Sequence, residues 1–158
     1  MNELISCFDR QFAELHRAHC ELIAAIPPDL LYRQPPGGSS LFPLHSSGEC
    51  LLRSAAAVEQ TFGGITTNLW DDPFEWTLPE SLPTPDKVAG YLAEVETTRK
   101  HGFELFRNDE DLLREIMAPA GRTRLLPLLL DTLARAAHHQ GGAKAMLEIV
   151  TAVSNAES

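Results

Sequence analysis

Apolar residues recur along this chain at alternating steps of three and four, the spacing of helices that pack along one face, in four separate segments. In the first, residues 4 to 26, Ile5, Phe8, Phe12, Leu15, His19, Leu22 and Ile26 form an unbroken seam. Pro27-Pro28 ends it. The breaker-rich stretch from 29 to 40 predicts a long crossover over one end of a bundle, with Leu41-Phe42-Pro43-Leu44 packed against that end. Ser46 or Ser47 is the expected N-cap of a second helix running to about Phe62. Its buried stripe is Gly48, Leu51, Ala55, Val58 and Phe62, with Cys50, Ser54, Ala57 and Thr61 along one flank, and Gly63-Gly64 marks its end.

Thr66 to Pro83 is too long for a turn and holds Trp70, Phe74 and Trp76, which predicts an aromatic-rich lid or functional loop between the second and third helices. Thr84-Pro85-Asp86 then opens the third helix as cap, first-position proline and acidic first turn. Val88, Tyr91, Leu92, Val95, Gly102 and Phe106 form its inner face, with His101 turned away. Residues 108 to 111 break the pattern, and 118 to 123 lead into the fourth segment, Leu125 to Leu147. At 100° per residue, Leu129, Leu133, Ala136, Gln140, Ala143, Leu147 and Val150 fall in a stripe of about 60°. Leu128, Arg135, His139 and Met146 flank it, while His138 points to water. Gly141 and Gly142 weaken a helix, so they predict a neighbouring helix at close approach. With no credible strand, the expectation is an all-α four-helix bundle forming one domain over 1–158.

Composition narrows the class of partner. A chain of 158 residues with 44% hydrophobic content can bury one core. Its formal net charge of −9 argues against nucleic acid and against an anionic membrane surface. No apolar run reaches about 18 residues and no basic segment precedes one, so a cytoplasmic location is expected, with no membrane span. Cys7, Cys20 and Cys50 are odd in number and lie inside helical patterns, which predicts reduced, packed thiols.

Two runs carry candidate chemistry: Leu51-Leu52-Arg53-Ser54-Ala55-Ala56-Ala57-Val58-Glu59 in the second helix and His138-His139-Gln140-Gly141-Gly142 in the fourth. Occurring in this order, they give the chain, over nearly its whole length, a pattern that resembles the DinB/YfiT-like bundle proteins. There the second helix carries a Leu-Leu-x-His-x-Ala-x-x-Glu run, and the fourth a His-x-x-x-His pair followed by Arg-Gly-Gln. The resemblance implies a divalent metal, zinc or nickel, held by three histidines and supporting thiol-dependent transfer or hydrolysis. Carried over, those positions are Ser54, Arg135 and His139. Only His139 is a histidine.

Ser54 is a poor neutral ligand, and the permanent charge of Arg135 repels a divalent cation in a low-dielectric interior, so the family's metal centre is expected to be lost and no cofactor retained. A rearranged zinc or nickel set, His139 with Cys50 or His19, is the alternative. The ligand-pocket candidates are thus His139, Arg135, Ser54, Cys50 and His19. An Arg135 guanidinium facing a pocket suits a small acidic ligand, held bidentately with His139 beside it as donor or acid–base group. The competing account pairs Arg135 internally with Glu49, Glu59 or Asp131, and makes His19 a core histidine. Three classes follow: a metal-independent bundle that binds a small molecule or partner, a metal-dependent thiol transferase or hydrolase, and a structural homodimer assembled through helices one and four. No catalytic residue is assigned.

Overall fold

Two of the four long helices begin where the sequence offers a side-chain cap. A computed structural model describes residues 2–73 and 77–158, which form four long helices: α1 (Glu3–Ala25), α2 (Ser47–Thr67), α3 (Pro85–Glu104) and α4 (Leu125–Glu157). Ser46 and Glu49 form a reciprocal capping box on α2. Thr84 caps α3, its hydroxyl accepting from the Lys87 amide ahead of Pro85. In α1 the adjacent Asn2 makes no side-chain cap. Asp109, more than a hundred residues away, does that work instead: its carboxylate accepts the amides of Leu4 and Ile5 at 3.0 Å each.

The expected seams are buried along their centres, with Ile5, Phe8, Leu133, Gln140 and Leu147 half-buried. Phe12, Leu15, His19 and Leu22 of α1 meet Leu51, Ala55, Val58 and Phe62 of α2, Val88, Leu92 and Val95 of α3, and Leu129, Ala136 and Ala143 of α4. A tilted and edge-on cluster of Phe12, Phe62, Phe103 and Phe106 fills one end. The flank of α2 is as dry as its stripe, since Cys50, Ser54, Ala57 and Thr61 are also buried.

Four local expectations are corrected. Gly63-Gly64 does not end α2, which runs to Thr67 and stops at Asn68 in the left-handed region, φ 58°. Gly64 is there for space: a Cβ would lie 2.2 Å from the Trp70 ring. A two-stranded antiparallel ribbon, β1 (Glu115–Ala118) and β2 (Gly121–Arg124), replaces the featureless link before α4, closing through Pro119-Ala120 onto Gly121 at φ 116°. Leu41 and Phe42 stand exposed, at 82% and 77%, and do not cover the bundle end. Cys7 and Cys20 are exposed, and only Cys50 is a packed thiol. Of the loop aromatics, Trp70 packs on α2, while Phe74 and Trp76 lie outside the described residues. No helix among the described residues is long and apolar enough to cross a membrane.

Candidate functional site

The α2–α4 seam is held by hydroxyls spaced along one line of α2. Ser47 donates to the Ala143 carbonyl at 2.7 Å, and Ser54 donates to the Ala136 carbonyl at 2.6 Å. Thr61 meets Thr132 at 2.6 Å; the Thr132 hydroxyl gives its hydrogen to the Leu128 carbonyl, so Thr61 is the donor between them. All four hydroxyl side chains are buried. Each satisfies a second lone pair on a helix carbonyl or a neighbouring hydroxyl, and contributes about 1 kcal/mol. The small residues beside them, Ala57, Ala136 and Ala143, let the two backbones come near enough for these bonds.

His19 enters this ladder from α1. Its Nε2 lies 2.7 Å from the Ser54 Oγ. Because the Ser54 hydrogen is committed to Ala136, the imidazole donates from Nε2, a tautomer fixed by the hydrogen-bond pattern. Burial, reinforced by the neighbouring His16, lowers the His19 pKa to about 4, so the ring is neutral at pH 7. Two of the five candidate residues thus touch, and they do so as a hydrogen-bonded strut.

Cys50 lies one turn before Ser54 and is buried, with burial, then Glu49, pushing its thiol up and away from the reactive thiolate. Its sulfur faces Gly142 at ordinary contact distance, and Gly141 faces open space, so neither glycine is required by a close neighbour. His139 is half-buried on the flank of α4 and packs edge-on against His138 with ring centres 5.4 Å apart. Burial lowers its pKa, and so do four positive or potentially positive groups, His138, Arg53, Arg135 and His45. Glu49 joins their margin; its carboxyl is held low, against burial, by the Ser46 amide and hydroxyl, by Gln34 and by His45.

Arg135 is not inside a pocket. It is 46% exposed and bonds Asp131 one turn earlier at 3.0 Å, a surface ion pair rather than a buried one. The assembled picture is therefore an inner strut, His19–Ser54–Ala136, and an outer cationic face around His139. Cys50 lies between the helices, and Arg135 at the water edge.

No family model, curated protein or solved structure matches the chain.

Among the described residues, no three His, Cys, Asp or Glu side chains come together in a way that holds a metal ion. The rearranged set of His139 with Cys50 or His19 forms no such group, and the His19 Nε2 is turned to Ser54. Three features escaped the sequence reading. The buried Arg99 of α3 chelates Glu96 at 2.7 and 2.8 Å, pairs with Asp9 of α1 and lies over the Phe103 ring at 5.4 Å. Tyr91 donates to Glu59 at 2.7 Å between α3 and α2. The hydroxyl ladder is the third: the sequence places Ser54 and Thr61 only on a flank of α2 with Cys50 and Ala57, and Ser47 only as a cap candidate.

Proposed function

We propose that this chain is a DinB-like bundle that binds a small acidic ligand at the α2–α4 face around His139 and carries no metal-dependent chemistry of its own. The observation that supports it is the convergence on one half-buried imidazole of Arg53 and His45 from the α2 side with Arg135 and His138 from α4, in a chain of net charge −9. A carboxylate or phosphate placed there offsets mutual repulsion among those groups, and Arg135, whose Nε holds Asp131, would offer it the terminal guanidinium nitrogens. The strut through Ser54 argues against metal chemistry in this reading, since it fills the position where the resembling family places a histidine.

The test is a histidine-resolved NMR titration of the full chain with citrate and inorganic phosphate. Binding raises the His139 pKa from its depressed value, saturably, and Arg135→Gln weakens the effect about tenfold. An unresponsive His139, or stoichiometric zinc or nickel in protein purified without an affinity tag, overturns the reading.

A further inference from the structure

On the opposite side of α2, between that helix, α3 and the segment 69–73, lies a cavity of about 400 Å³. Its wall is built rather than loose. Trp70 fills the space over Gly64, its carbonyl accepts from the Gln60 side chain at 2.9 Å, and the Pro73 carbonyl takes both the amide and the hydroxyl of Thr77 at 2.8 Å. The size is that of a small-molecule site.

The polarity of the lining is weighted towards acceptors. Thr66 donates its hydrogen to the Phe62 carbonyl, Thr67 to Gly63, Thr97 to Ala93 and Thr98 to Glu94. A hydroxyl whose single hydrogen is committed to its own helix has only lone pairs left to offer. The same cavity carries the carboxylates of Glu59 and Asp71. The bond from Tyr91 engages Oε2 of Glu59, which leaves Oε1 as an acceptor. His101 is the one basic side chain among the described lining residues, with no Lys or Arg, and Leu69, Gly63 and Pro73 supply an apolar wall.

We propose that this cleft binds an organic cation rich in N–H donors, a primary ammonium on a short aliphatic chain, with Glu59 and Asp71 as its charge partners and the threonine hydroxyls as acceptors. The aliphatic part lies against Leu69 and Pro73. A divalent metal is the wrong occupant, because a hard cation needs several oxygens converging at about 2.0–2.6 Å and no such group of side chains is assembled among the described residues. Burial pushes the Glu59 carboxyl above its usual range, against the bond from Tyr91, and the nearby Glu94 adds to this, so a bound cation would favour the charged carboxylate.

The experiment is an amide NMR titration of the full chain with butylammonium and 1,4-diaminobutane, with tetramethylammonium, butyrate and magnesium as comparators. The primary amines should shift the amides of Gly63, Thr66, Thr97 and Thr98 saturably. Tetramethylammonium, of equal charge but without N–H donors, should bind at least about tenfold more weakly. Asp71→Asn, at an exposed position that leaves the fold intact, and Glu59→Gln, which still accepts from Tyr91, should each weaken the amines about tenfold. Equal response to tetramethylammonium, a preference for magnesium or butyrate, no saturable shift, or an unaffected Asp71→Asn variant overturns the proposal.

Discussion

The His19 imidazole donates across the α1–α2 contact to the Ser54 hydroxyl at 2.7 Å, and that hydroxyl passes its own hydrogen to Ala136 of α4. One serine thus ties three helices together. Ser54→Ala leaves a buried imidazole N–H without its acceptor and removes one bond from the Ala136 carbonyl. The expected loss is about 1–3 kcal/mol of unfolding free energy, measured by urea denaturation. Ser54→Thr, which keeps the hydroxyl, should cost less unless its added methyl is overpacked.

The same pair sets an acid limit. His19 titrates near 4 when folded and about 6.5 when unfolded, so between those values the unfolded chain holds the extra proton and stability rises with pH. The contribution of the neutral ring is complete above pH of about 6.5 and is lost as pH falls towards 4, a swing of about 3 kcal/mol. His19→Gln, able to donate to Ser54 without titrating, should flatten that slope in denaturant curves taken across this window. An unchanged slope would show that other groups govern the acid response.

Arg135→Ala should leave the melting temperature within about 1 °C, since its pair with Asp131 is exposed and such pairs are worth a few tenths of a kcal/mol. A pronounced drop would mean that Arg135 has a buried role.

Arg99→Ala should be far more damaging. This guanidinium is 2% exposed, and its removal leaves the partly buried Glu96 with only the longer contact to exposed Lys100 and unlinks Asp9, an effect of about 3 kcal/mol by calorimetry. Arg99→Lys should recover little, because an ammonium cannot chelate Glu96 through two nitrogens or lie flat over Phe103.

Gly141→Ala should raise stability by about 0.5–1 kcal/mol, because the site is mid-helix and a Cβ there meets open space.

Legibility in the sequence followed the range of the interaction. The α1 seam and the caps at Ser46 and Thr84 are local patterns of three or four residues, and the chain folds as they indicate. The capping of α1 by Asp109 is not local, and nothing near Asn2 announces it. The glycine pair at 63 and 64 looked like a helix stop because glycine usually weakens helices; here an indole from the following loop needs the room. The ribbon of Glu115–Arg124 escaped notice since its strands are four residues long and alternate exposed with half-buried positions around a Pro-Ala turn instead of the usual Asn-Gly. At the candidate site, stripe counting brought His19 and Ser54 to the same interior. It misplaced Arg135, whose flank position on α4 faces water instead of α2.

The hydroxyl line of α2 constrains what this chain can become. Ser47, Ser54 and Thr61 recur every seven residues, and two of their carbonyl partners, Ala143 and Ala136, are likewise seven apart. Sliding either helix by one turn along the other would put methyl groups where the acceptors need donors. An insertion or deletion between Ser47 and Thr61 would break the match: most lengths rotate the later hydroxyl off the seam, and a whole heptad keeps the face but slides that hydroxyl about two turns along α4. Length variation in this protein should therefore concentrate in the stretch 33–45 and in the segment after Asn68, and spare α2.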